Sequence, residues 1–365
     1  MRTLTPPHTH IMPRRQGGLS LVEMMISLTI GMLLLMGITT LIVRQSSSRD
    51  ELEKSSRQIE NGRYATQVLR NDIQHAGFYG VYSPAPNYTY TTPDPCASWS
   101  GGWSIANLQV ASPIFGYSNA TAAPSCVTNR LPGTAILVVH RTDTSPVTTA
   151  IAATNPNTIY LQTTKCQNET ITPFLLGAIS AGAVFNLHQK DCTSFEDVNK
   201  YYTRIYYISS CNTVDASNNC TDTTPTLKMV ENNGPAIPLV EGIENMQFDY
   251  GLDSNNDGYP DGNYTATPAA TDWPNVMAVR INVLARNIEC STGYTDTKQY
   301  NLGVAGTATG YSTDGQSPPH ISYNLGLTGA PTTAAVSPCT NGDYKHHAFS
   351  ELIRVVNPSA RRAQE

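Results

Sequence analysis

The chain has 365 residues, enough for one large domain or two ordinary ones and for a substantial core. Charged residues make up 14% and the formal net charge is −5, and no basic cluster points to nucleic acid. The 26 glycines, 24 prolines and 19 tyrosines indicate a turn-rich, β-leaning chain rather than a helical bundle.

Arg2, Arg14 and Arg15 all precede Gly18, and no acidic residue does. The run Leu19–Val43 is apolar apart from one charged residue, Glu23, and is long enough to span a bilayer as a helix. The arginines ahead of it predict a cytoplasmic N-terminus with the remainder exported. A cleaved secretory signal fits poorly: the run is too long, and no Ala lies between Leu19 and Tyr64 to form a small-residue cleavage site. A plain signal anchor leaves Glu23 unexplained. A carboxylate near the bilayer centre costs roughly 2.5–3.5 kcal/mol, less near the interface, and normally has a partner. A partner appears if the chain is cut after Gly18. The new α-amine of Leu19 then lies one helical turn before Glu23, on the same face, and the same amine can meet Glu23 of a neighbouring helix.

After Val43 the polarity reverses. Arg44–Ala76 is polar and free of Pro, with apolar or small residues at Leu52, Ile59, Gly62, Ala65, Leu69, Ile73 and Ala76. This spacing predicts one long helix, Ser20–Ala76, apolar all round in its first half and amphipathic in its second, stopped by Gly77 and packed on a sheet.

With Arg14 and Arg15 before it, Gly18-Leu19-Ser20-Leu21-Val22-Glu23 resembles the type IV prepilin site, Leu19 standing where Phe is usual. The resemblance implies cleavage after Gly18 by a membrane peptidase, methylation of the new N-terminus at Leu19, and a role for Glu23 in filament assembly. The segment Val68–Gly80, "VLRNDIQHAGFYG", is similar to the helix exit of PilW-type minor pilins, with Gln74 at the usual basic position. The family implies an α+β lollipop, a long N-terminal helix on an antiparallel β-sheet with disulfide-tied loops. Residues 1–18 are then a leader, with translation expected to start at Met12. Residues 19–43 form the transmembrane and filament-core helix, 44–77 its amphipathic continuation, and 78–365 a periplasmic, later extracellular, β-rich domain. The implied partners are the prepilin peptidase, the inner-membrane pilus assembly machinery, the major pilin and other minor pilins. Those minor pilins form a complex that primes assembly and sits at the pilus tip, often with a large adhesin, and supports twitching and adhesion. Its chemistry is non-covalent, with no enzyme activity and no required cofactor. A minor pseudopilin of a type II secretion system shares the leader and Glu23, but such subunits are usually smaller and poorer in cysteine. A membrane-anchored periplasmic enzyme or binding protein is the alternative of another class.

From Tyr79 onward turn signals recur without a long helical period. The expected strands are Thr134–His140, Thr158–Leu161, Ala183–His188, Thr203–Ile208, Leu227–Val230, Met246–Tyr250, Val276–Ala285 and Leu352–Val356. Val276–Ala285 is almost continuously apolar and suits a central strand on the helix, while Arg280 within it is assigned no function. Pro84–Pro132 and Thr295–Asn341 read as long loops, and a subdivision is conceivable near Glu231–Pro235. The eight cysteines, Cys96, Cys126, Cys166, Cys192, Cys211, Cys220, Cys290 and Cys339, all follow the apolar run and form no zinc spacing. Disulfides in an oxidising compartment are the better reading. Order-neighbour pairing is the simplest connectivity. Cys211–Cys220 is the one pair the sequence supports directly, across a short turn-rich loop, and such a bridge typically contributes about 2–4 kcal/mol.

One motif resembles a metal loop. In "DSNNDGYPD", Asp253, Asn255, Asp257 and Asp261 fall at positions one, three, five and nine of a calcium loop, with Gly258 at six and the Tyr259 carbonyl at seven. Position twelve is Tyr264 rather than Glu, so this is no EF-hand, and an Asx-rich surface turn uses the same residues. PilW-type sequences carry a similar Tyr-Gly-x-Asp stretch, matched by Tyr250-Gly251-Leu252-Asp253, which makes calcium a candidate ligand. No hydrolase, zinc-protease or P-loop motif occurs. His140, His188, His320, His346 and His347 have no nucleophile or carboxylate at motif spacing, and His346-His347 beside Lys345 reads as a solvated turn.

Overall fold

A computed structural model describes residues 18, 20–85, 88–97, 110–169, 173–262, 264–291, 294, 300–304 and 344–363. The first element, α1 (Leu21–His75), is a single helix of 55 residues without proline. It stops because Gly77 adopts φ +72, a left-handed conformation that glycine takes at no steric cost, and donates its N–H to His140 O at 2.8 Å. The chain divides into two compact units after Glu53, not near Glu231–Pro235.

In the first unit the helix exposes its apolar side chains, Leu21, Met24, Leu28, Leu33, Met36 and Leu41 among them, and Leu52, ahead of the three-and-four spacing that starts at Ile59, is 70% exposed. It is the described helix long and apolar enough to cross a membrane. In the second unit, from Lys54, α1 buries Gln58, Gly62, Ala65, Thr66, Leu69, Asp72 and Ile73. That spacing of three and four puts them on one face.

Three antiparallel strands, β8 (Ile243–Leu252), β9 (Val276–Arg286) and β10 (His346–Arg354), form a sheet in the order β10-β9-β8. The near-continuous apolar run of β9 is central, as its sequence predicts. Alternation sends one set of cross-strand rows, Phe349–Val283–Met246 and Ile353–Val279–Tyr250 among them, to one face. Val283, Met246, Ile353, Val279 and Tyr250 join Ala65, Leu69 and Ile73 of α1 in the main core, with Phe349 packed against it. A seven-stranded sheet holds β1 (Ile114–Tyr117), β2 (Ile136–Thr142), β3 (Ile159–Thr163), β4 (Phe174–Ala178), β5 (Val198–Ser209), β6 (Thr226–Glu231) and β7 (Ile237–Glu241). Its main order is β1-β2-β5-β3-β4, with β6 paired to β5 and β7 to β6. Leu137, Val139, Tyr206, Ile208 and Leu227 carry the same core into this sheet. The fold is α+β, a long helix with antiparallel sheets.

Several sequence expectations shift. Ala183–His188 is not a strand; it holds one isolated bridge, His188 to Phe195, and separate backbone bonds such as Glu196 N–H to Leu187 O at 2.8 Å. The last expected strand, Leu352–Val356, is in fact β10, which starts at His346, and Val356–Arg362 is a short helix, α3. His346 is therefore not in a solvated turn: its side chain is buried and its Nε2 lies 2.6 Å from Glu244 Oε2. β1 lies inside Pro84–Pro132, and β4 and β7 were not anticipated. A second short helix, α2, covers Thr149–Ala153 and is capped by the Thr148 hydroxyl. Cys96–Cys126, Cys166–Cys192 and Cys211–Cys220 are disulfides between order-neighbours. Cys290 is also disulfide-bonded, and Cys339 lies outside the described residues.

Candidate functional site

Three places carry the functional side chains: the start of α1, its exit, and the acidic loop after β8. At the start, Ser20 precedes the first helical residue and Glu23 is the third within the helix. Glu23 Oε2 accepts the Ser20 backbone N–H at 3.2 Å, one half of a capping box. The Ser20 carbonyl accepts the first intrahelical bond, from Met24 N–H, at 3.1 Å. Ser20-Leu21-Val22-Glu23 thus fixes where the helix begins, three residues after Gly18. Gly18 has open space around its Cα, and Leu19 lies outside the described residues. The carboxylate that the sequence left without a partner caps its own helix in the uncleaved chain, at an exposed position.

At the exit, Asp72 is 3% exposed and is held from the seven-stranded sheet. It accepts Arg141 Nε at 2.9 Å, Arg204 Nη1 at 2.9 and 3.0 Å, and the Tyr206 hydroxyl at 2.5 Å. Arg204 also forks onto Glu231 at 2.9 Å, and the guanidiniums of Arg141 and Arg204 lie over the Tyr202 ring at 5.1 and 4.6 Å. Buried charge is tolerated only when paired and hydrogen-bonded, and here every charged group has more than one partner. This carboxylate belongs to the helix-exit segment whose likeness to minor pilins the sequence showed, yet its role was not read there. Its partners come from strands far along the chain. About three turns earlier, Gly62 meets the Phe349 ring so closely that a Cβ would overlap it, so helix and β10 approach at a position only glycine fits.

In the acidic loop the carboxylates serve the loop's own N–H groups and Arg362. Asp253 is buried; its Oδ1 accepts Asn256 N–H at 2.7 Å and its Oδ2 accepts Gly258 N–H at 3.0 Å and Arg362 Nη1 at 3.0 Å. Asp261 Oδ2 accepts the Ser254 N–H and hydroxyl at 2.8 and 3.0 Å and Asn255 N–H at 3.1 Å. Those donors hold its carboxyl below the ordinary carboxylate range. Asp257 Oδ1 accepts Tyr259 N–H at 2.8 Å. The oxygens point at the loop's own N–H groups and at a guanidinium, whereas calcium needs six to eight oxygens converging on one point. Among the described residues no three His, Cys, Asp or Glu side chains gather as a metal-holding group.

Of the histidines, His188 lies 3.3 Å from Glu169, and His140 is fully buried between the rings of Phe115 and Tyr201. Burial lowers the His140 imidazole to about 4, against a weaker upward pull from its bond to Ser112 O. Arg280 sits 3.8 Å from Asp249 and over the Tyr264 ring.

Residues 205–357, from within β5 to the start of α3, match the family model of Type IV Pilus-assembly protein W. Residues 13–39 match the prokaryotic N-terminal methylation motif. No curated protein and no solved structure matches the chain.

Proposed function

We propose, on the premise that this chain is a PilW-type, prepilin-like pilin, that it works as a minor pilin in a complex that primes type IV pilus assembly and ends at the pilus tip. The observation that carries this is the presence in one chain of the methylation motif, on an exposed apolar helix, and the match to a pilus-assembly family in the globular part. The prepilin peptidase cuts after Gly18, residues 1–18 leave as the leader, and the amine of Leu19 is methylated. Residues 19–43 hold the chain in the inner membrane with residues 78–365 in the periplasm, and 44–77 continue the helix. After cleavage the chain begins at Leu19, one residue before the Ser20 N–H that now holds Glu23. A cationic amine then competes for the same carboxylate, from its own or an adjacent subunit. This exchange turns a membrane anchor into filament packing.

The partners in this reading are the inner-membrane assembly machinery, the major pilin, other minor pilins and a large tip adhesin, all met non-covalently. A β-rich domain tied by disulfides suits life outside the cytoplasm. Deletion of the gene should remove surface pili and twitching, with piliation restored by the wild-type copy. Normal piliation with lost protein secretion would assign the chain to a secretion pseudopilus instead.

A further inference from the structure

The C-terminal helix α3 touches two places that are far apart in sequence. It enters through Val355, whose N–H bonds to Met277 O at 2.8 Å. Asn357 Nδ2 donates to Ala76 O at 3.1 Å and Arg361 Nη2 to Gly77 O at 2.6 Å. These carbonyls belong to the exit of α1, where a cation is favoured by the helix dipole. On the other side, Arg362 Nη1 reaches Asp253 Oδ2 and its Nη2 donates to Asn275 Oδ1 at 2.7 Å. The Ser359 hydroxyl bonds to Gly258 O, and a Cβ on Gly258 would strike the Ser359 carbonyl. Arg354 lies over the Tyr259 ring at 4.7 Å.

We infer that the Asp253–Asp261 loop is the docking seat of the chain's own C-terminal helix, with Arg362 as its resident cation, so that loop and helix exit are locked together without calcium. The Asp253 carboxylate is buried and requires a counter-charge. Arg362 is equally buried, supplies that charge, and spends its second nitrogen on Asn275, a fixed fork that a spherical ion would not need. Asp257 and Asp261 use their oxygens to close the loop around Asp253, so the loop is shaped to receive a side chain from one direction. Because the neighbouring Arg361 holds Gly77 O, α3 cannot leave the loop without also releasing the carbonyls at the end of α1.

Hydrogen–deuterium exchange of the full-length protein in detergent micelles tests this, in millimolar calcium and in excess EGTA. The amides to watch are Asn256 and Gly258, which bond to Asp253, and Gly77 and Phe78 at the helix exit. Wild-type exchange should be the same in both buffers. Arg362→Gln should speed exchange at the loop by about a hundredfold, and at the helix exit in step with it. Arg362→Lys keeps the charge but loses the fork; it should remain folded and loosen the loop by a smaller factor. Slower loop exchange of the wild type in calcium than in EGTA would overturn the proposal, whatever the variants do. So would a loop whose exchange is unchanged in Arg362→Lys and Arg362→Gln alike.

Discussion

Glu23 and Asp72 are carboxylates on the same helix, in opposite settings. Asp72 is enclosed by two arginines and a tyrosine of its own chain, and each partner is itself held. Glu23 stands on an exposed stretch, and among the described residues its side chain is hydrogen-bonded to one group, the Ser20 N–H. A buried, fully paired carboxylate is a fold determinant: its energy is spent inside the subunit. A carboxylate with a single, replaceable bond has acceptor capacity left for something outside it. The two halves of α1 repeat the contrast. Past Lys54 the helix hides a stripe against two sheets, while up to Val43 it hides almost nothing.

The sharpest way to break this contrast is to remove Asp72. Asp72→Ala takes away the carboxylate partner of Arg141, 15% exposed, and leaves Arg204, 19% exposed, with Glu231 alone. Unpairing a buried charge costs about 3–5 kcal/mol, so thermal unfolding in detergent should move down by several degrees or the protein should fail to accumulate. A variant that melts like wild type would show that the arginines find water and that the cluster does not anchor the helix.

How far these places were legible in the sequence follows from where their partners come from. Glu23, Gly18 and the Gly77 stop are local: spacing within one or two helical turns defines them. The helix and the central strand β9 were legible because long periodic or apolar runs leave few alternatives. Asp72 lies in a legible motif but its partners do not, because Arg141 and Arg204 reach it from β2 and β5, and only the folded sheet puts them side by side. His346 was misread for a related reason: Lys-His-His looks wet in one dimension, yet pairing of β10 with β9 turns His346 inward onto Glu244. β7 hides behind Pro238, and β1 is only four residues long, too short for alternation to register. The acidic loop showed its residue types but not its cation, since Arg362 lies 109 residues from Asp253 and only the fold brings them together.

His140 separates burial of a charge from burial of a neutral ring. Its folded value is about 4, and unfolded imidazole titrates near 6.5. Above pH 6.5 both states are neutral and stability is complete. As pH falls below that, the unfolded chain takes the proton first and stability is lost until the folded ring also protonates near 4. The loss from this residue is about 3 kcal/mol across that window. His140→Phe should flatten that part of the stability-versus-pH curve, measured by denaturant unfolding at fixed pH values. An unchanged slope would place the acid sensitivity elsewhere. Gly62→Ala probes packing alone. Alanine favours a helix by about 1 kcal/mol over glycine, yet here its methyl meets the Phe349 ring, so a net loss of about 1–3 kcal/mol is expected. A gain in stability would show that Phe349 moves aside freely.

The smallest effect on stability belongs to Glu23, and that smallness is the prediction. Glu23→Ala removes one cap bond at an exposed helix start, worth about 0.5–1 kcal/mol of local helix and nothing in the globular part. Unfolding of the globular part should superimpose on wild type, and processing after Gly18, read by intact mass, should proceed. Incorporation into sheared pili should nevertheless fall severely, because the amine of Leu19 then has no carboxylate to pair with. Glu23→Gln divides the two roles: it keeps an acceptor for the Ser20 N–H and loses the charge. If Gln restores the helix start but not incorporation, the carboxylate's charge is what assembly reads. If Glu23→Ala incorporates as well as wild type, the pairing of Glu23 with a processed N-terminus is wrong, and its only remaining duty is the cap seen in the uncleaved chain.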